Sequence, residues 1–184
     1  PEDDIEAAFL CGERSKGAKG YLVPDPERVE ELSERIAALP ECLKVGICWR
    51  SKYSHRDRDI HYTQLEMWES ILRLPGITFV NVHYDQREDE LRKVEKEFGI
   101  EIHRWDDLDL RDDMETAFAL TANLDMIIST SPSPSRIGDA VGAEVWLMMA
   151  GGREPNQAPE GEFGIENRII WRRHWTEEWT TLIE

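Results

Sequence analysis

The chain has 184 residues, 40% of them apolar and seven of them tryptophan, which is enough to bury the core of one domain and excludes a disordered tail. Lys and Arg number 22 against 38 Asp and Glu, a net charge of −16, so nucleic acid and anionic membrane are set aside as primary partners because the long-range force would be repulsive. No run of eighteen apolar residues spans a bilayer, and Cys11, Cys42 and Cys48 lack metal-site or CxxC spacing, so they read as reduced thiols of a cytoplasmic protein.

The chain opens on "PEDDIEAAFL", which has no methionine and no basic-then-apolar signal and reads as cut from something longer. "PERVEELSERIAAL" (26–39) predicts an amphipathic helix with proline at its start. "LKVGICW" (43–49) is a short apolar run without helical period, hence a buried strand. "YTQLEMWESILRL" (62–74) sets Leu65, Trp68, Ile71 and Leu72 on one face and stops at Pro75-Gly76, so a helix is expected. "ITFVNV" (77–82) is a strand, "EDELRKVEKEF" (88–98) a charged helix stopped by Gly99, and "IEIHR" (100–104) a strand. "DDMETAFALTANL" (112–124) predicts a helix with Asp112 and Asp113 in its first turn, where the dipole favours them, followed by the strand "DMIIS" (125–129).

"STSPSPSR" (129–136) then reads as a stiff, hydroxyl-rich loop, "SRIGDAVG" (135–142) as a short helix ending at Gly142, and "AEVWLMM" (143–149) as a strand. A Gly/Pro/acidic loop (150–164) and a terminal helix (176–184) complete the chain. Strands separated by single helices imply right-handed crossovers, and the fold class is α/β: a Rossmann-like, doubly wound parallel sheet of at least five strands.

Open sheets of this kind bind ligands at the carboxyl ends of their strands. There "WRSKYSHRDRD" (49–59) gathers Arg50, Lys52, Arg56 and Arg58, and "SPSPSR" lies at the same edge. Together they predict a cationic, hydroxyl-rich crevice suited to phosphate. Alternatively the first loop is solvated, with Arg56, Asp57, Arg58 and Asp59 pairing among themselves. Neither GxGxxG after the first strand nor GxxxxGK[ST] is present, so a dinucleotide fold of the usual kind and a P-loop are disfavoured. "WDDLDLRDD" is aspartate-rich but reads as a solvated loop before a helix, and His55, His61, His83, His103 and His174 show no paired zinc spacing, so no metal site is expected. His83, Tyr84 and Trp105, just past strands, could contact a base or be ordinary loop residues.

Three stretches carry a resemblance: "LKVGICWRS", "DMETAFALTANLDMIISTSPSPSRIGDAVGAEVWLMMAGG" and "RIIWRRHWTEEWTTLIE". They resemble the C-terminal half of GT-B glycosyltransferases, in particular heptosyltransferase-like proteins and the bacterial, TPR-linked relatives of O-GlcNAc transferase. The resemblance runs over roughly residues 21–184 and includes "YLVPDPERVEEL". It implies donor and phosphate binding by Trp49, Arg50, Ser51, Arg58, Ser131, Ser133, Ser135 and Arg136, with Asp112 in support, and the basic cluster after the first strand adds Lys52 to that set. Where the family has an aspartate and a histidine in the helix-start motif, this chain has Ser131 and Arg136; Asp139 and Glu144 stand where it has glycine and proline.

The resemblance implies a nucleotide-sugar donor-binding domain over 41–152. Residues 1–40 would lead in from a missing acceptor-binding domain, with TPR repeats as a further neighbour, and 153–184 would form a C-terminal loop and helix. The implied substrate is a nucleotide diphosphate sugar, with no metal or other cofactor and with the general base supplied from elsewhere. A non-catalytic module that senses a nucleotide sugar through an altered site is the alternative. Isolated as here, the chain is expected to show little transferase activity.

Overall fold

In the computed structural model, residues 20–52, 59–85, 87–130, 132–151, 168–173 and 177–183 are described. Helix α1 (Pro26–Ala37) precedes strand β1 (Leu43–Cys48). Helix α2 (Glu69–Leu72), β2 (Ile77–Asn81), α3 (Glu88–Phe98), β3 (Ile102–His103), α4 (Met114–Ala122) and β4 (Met126–Ser129) follow. The chain continues through α5 (Pro132–Val141), β5 (Glu144–Ala150), β6 (Arg168–Arg173) and α6 (Trp179–Ile183). The six strands form one sheet in the order β3-β2-β1-β4-β5-β6, every pairing parallel.

Alternate residues of the strands feed two separate cores, as a sheet buried on both faces requires. Val45, Ile47, Trp49, Met126 and Ile128 pack with Leu91, Val94 and Phe98 of α3 and with Trp179 and Ile183 of α6. On the opposite face Cys48, Ile127, Val145 and Leu147 pack with Leu32 and Ile36 of α1 and Ala119 and Leu120 of α4. Helix α5 joins this second face through Gly138, where a Cβ would lie 2.6 Å from Val145 Cγ2, so only glycine lets the helix sit this close to the sheet. Among the described residues no helix is long and apolar enough to cross a membrane.

Four differences from the sequence expectations have physical causes. Residues 62–74 do not start as an α-helix; a 3₁₀ turn, Leu65–Trp68, runs into the single turn of α2. The Trp49 carbonyl takes both the N–H and the hydroxyl of Thr63, at 3.1 and 2.8 Å, and Trp68 Nε1 donates to that hydroxyl at 2.8 Å, which holds the start of the segment off helical geometry. Helix α4 opens at Met114 with Asp113 as its cap, its carboxylate accepting from Thr116 N at 3.1 Å.

The serine-proline stretch is not a loop but the first turns of α5. Proline is tolerated there because first-turn N–H groups have no intrahelical partner to lose. Finally, the sheet does not end near residue 150: 168–173 forms a sixth strand, β6, between the expected loop and terminal helix, with Arg173 opposite Ala150 at the carboxyl end.

Candidate functional site

The carboxyl edge of the sheet carries a cavity of about 690 Å³. Helix α4 lines it with Met114, Ala117, Phe118 and Thr121, and α5 lines it with Ser133, Arg136, Ile137 and Ala140. Both sets are spaced i, i+3, i+4, i+7, so each helix gives one stripe to the cavity. Ser51 after β1, Val82 and Tyr84 after β2, and Leu110 and Arg111 before α4 complete the wall toward the strand ends. Residues 20–22 cross the far end, where Tyr21 N and Leu22 N both donate to Ala140 O at 2.8 Å. Most of the wall is apolar, with hydroxyl and guanidinium groups set into it.

Of the residues expected at a donor site, Ser51, Tyr84, Ser133 and Arg136 share this cavity. Lys52 lies in an adjoining cavity of about 400 Å³ with Asp85, Asp106, Asp107 and Asp109, and Tyr84, Leu110 and Arg111 form the partition between the two. Arg50 lines a third, about 420 Å³, with Ser51, Tyr62, Gln64 and Trp179. Arg58 and Ser131 lie outside the described residues.

Five residues are placed elsewhere than expected. Trp49 has no exposed surface and belongs to the core, because the alternation of β1 continues through it; its indole N–H donates to Glu90 Oε2 at 2.7 Å. Ser135 is 1% exposed, since the helix begins three residues earlier than the sequence predicts and turns this hydroxyl away from the cavity. His83 has no exposed surface and is held between Trp49 and Tyr84, with ring centroids 5.2 and 5.1 Å away, so it borders the adjoining cavity without offering a free ring face to a base.

Burial holds the His83 imidazole down, to about 4, against the opposing pull of Asp85, whose Oδ1 is 2.7 Å from Nδ1. Trp105 packs against the second core and lines none of these three cavities. Asp112 is exposed and caps nothing; the capping carboxylate is Asp113, which also bonds the Thr116 hydroxyl at 2.6 Å and pairs with Arg28 at 3.3 Å.

The loops after β1 and β2 are fastened together. Tyr84 OH lies 2.8 Å from Ser51 Oγ and accepts from Lys52 N at 2.8 Å. Arg87 Nη2 donates to Lys52 O at 3.0 Å, and Arg50 pairs with Glu90 at 3.3 Å. Sequence reasoning did not select Arg111, Met114, Phe118, Ile137, Arg87 or Glu90. The second helical stripe of 114, 117, 118 and 121 was the available signal for the cavity wall. For Arg87 and Glu90 there was none, because a charged helix start reads as solvated surface.

The placement of proline also bears on anion binding. Prolines at 132 and 134 remove two first-turn N–H donors from α5, so an anion there would depend on side chains more than on the helix end.

No family model matches the chain. Over 128 residues it is 31% identical to Protein FlbA of Caulobacter vibrioides, a match covering 70% of this chain and 22% of that protein. Among solved structures it resembles a glycosyl transferase of family 9 from Veillonella parvula, with a TM-score of 0.55 and 13% identity, over 88% of this chain and 45% of that one. It also resembles the ADP-heptose LPS heptosyltransferase II of E. coli, with a TM-score of 0.53 and 11% identity, over 82% of this chain and 44% of that one. The fold is therefore α/β and Rossmann-like, of the kind found in these glycosyltransferases, and the chain spans a little under half the length of each.

Proposed function

We propose that the chain is the nucleotide-sugar donor-binding half of a glycosyltransferase that transfers a sugar from a nucleotide diphosphate sugar to an acceptor. The observation that carries this reading is the cavity of about 690 Å³ at the carboxyl edge, apolar along α4 and α5 and bearing Ser51, Arg111, Ser133 and Arg136. Its volume lies within the range of small-ligand sites. The apolar stripes suit a base and the two guanidinium groups suit a diphosphate, whose developing charge they would neutralise as the glycosidic bond breaks. In this reading the charge falls to arginine and no metal is required. The acceptor and the general base belong to a preceding domain of the same chain, with TPR repeats beyond it, and the whole works in the cytoplasm.

One observation favours a second reading, a non-catalytic module that senses a nucleotide sugar. No carboxylate or imidazole lines the cavity among the described residues, so an acid–base group must come from outside it or be absent. A thermal-shift panel of UDP-, GDP-, ADP- and CMP-sugars tests binding. Release of free sugar from the donor that binds, measured in the full-length protein, separates the two readings. Stabilisation by one class of donor supports the site; no shift with any of them removes it.

A further inference from the structure

We propose that Arg87 is a positioning residue for the candidate donor site, locking the Ser51–Lys52 peptide in place from the start of α3. The inference rests on the reading of the large cavity as a nucleotide diphosphate site.

Arg87 departs from two local rules at once. It has φ 51 and ψ 44, the left-handed region, and it is the only non-glycine residue with positive φ among the described residues. A side chain with a Cβ pays for that conformation, which asparagine or glycine adopts far more readily. Arg87 also occupies the N-cap of α3, where Ser, Thr, Asp or Asn would satisfy a free N–H, and it makes no side-chain cap bond. Departures of this kind gather where a side chain is needed for another purpose.

That purpose is visible in its contacts. Arg87 Nε lies 2.9 Å from Asp85 Oδ1 and Nη1 lies 3.7 Å from Glu90 Oε1, which steer the guanidinium toward β1. Nη2 then donates to the carbonyl of Lys52 at 3.0 Å and reaches that of Ser51 at 3.5 Å. From the other side, Tyr84 OH accepts the Lys52 N–H at 2.8 Å and meets Ser51 Oγ at 2.8 Å. Tyr84 and Arg87 together thus grip residues 51 and 52 by their two carbonyls and the Lys52 amide. Ser51 faces the large cavity and Lys52 the adjoining one. Without the grip a ligand would have to order this loop as it bound, and affinity would fall.

Arg87→Gly tests this, because glycine is at ease at this φ and only the guanidinium is lost. Lys52 amide exchange, read by NMR against the core amides of Ile47 and Val80, should quicken about tenfold, the loss of roughly one hydrogen bond to a charged donor. Affinity for whichever of UDP, GDP and ADP the parent binds should fall about tenfold, and Arg87→Lys, with a single ammonium group in place of a planar fork, should recover part of both. An unchanged Lys52 exchange rate in Arg87→Gly overturns the proposal. So does unchanged affinity, even if the melting temperature falls. If the parent binds none of the three nucleotides, the cavity reading fails, while the exchange measurement still decides whether Arg87 holds the loop.

Discussion

The Arg50 guanidinium is paired with the Glu90 carboxylate at 3.3 Å, and both side chains are 28% exposed. The cation that the sequence offers to a ligand's phosphate is met by the protein's own anion, whose second oxygen accepts from Trp49 Nε1. Glu90 therefore joins the loop after β1 to α3. Glu90→Gln keeps the shape and an acceptor for the indole but removes the charge. It should cost about 1 kcal/mol, the upper part of the range for a solvent-accessible pair, read as a shift in the urea midpoint at constant slope. Trp49→Phe, which also opens a void in the core, should cost more.

Asp113 and Asp112 separate by the same measurement. Asp113→Ala removes the cap of α4 and the partner of Arg28 and should cost about 1–2 kcal/mol. Asp112→Ala should stay within about 0.5 kcal/mol of the parent, because among the described residues its exposed side chain meets only Arg111, at 3.8 Å. Equal losses at both positions would put the start of the helix one residue earlier.

These two aspartates show how much of the fold was legible. Helix α3 was read to the residue, since its amphipathic pattern ends at Gly99, which caps it at φ 67. Adjacent aspartates give no such mark, and only the hydrogen bond to Thr116 N tells the cap from its neighbour. The prolines misled for a related reason: they mark turns, yet the first turn of a helix is where they cost least. Strand β6 was not read, because charged residues flank its three apolar ones and a long Gly- and Pro-containing stretch of sequence separates it from β5. The site was legible only at Ser51, Tyr84, Ser133 and Arg136; the apolar wall that makes it a cavity depends on how α4 and α5 lie side by side.

Gly138→Ala tests the seating of α5. The added methyl would lie 2.6 Å from Val145 Cγ2, a buried β-branched side chain with little room to turn. Overpacking of this kind should cost about 1–3 kcal/mol and lower the melting temperature. An unaffected melting temperature would mean that α5 sits farther from the sheet.

Acid should weaken the fold in two stages. The folded His83 titrates at about 4, below its ordinary value of 6.5, so the unfolded chain binds more protons between those values. The stability linked to neutral His83 is complete above 6.5 and is lost as pH falls through 4. Glu88, held down to about 2 by hydrogen bonds from Arg104 and then Arg92, adds a loss below its ordinary 4.5. In His83→Gln the dependence between about 6.5 and 4.5 should flatten while the more acidic loss remains. A slope that persists there would assign it to other groups.

The central claim is that the cavity between α4 and α5 binds a nucleotide diphosphate through the side chains facing it. Isothermal titration of UDP, GDP and ADP into the parent, Arg136→Ala and Ser135→Ala tests it most directly. Arg136 faces the cavity, and its loss should weaken binding by about 1.5–3 kcal/mol, the worth of a hydrogen bond to a charged group. Ser135 is buried away from it, so Ser135→Ala should lower stability by about 1 kcal/mol and leave affinity unchanged. No heat with any of the three diphosphates, or equal affinity in the parent and Arg136→Ala, would contradict the claim.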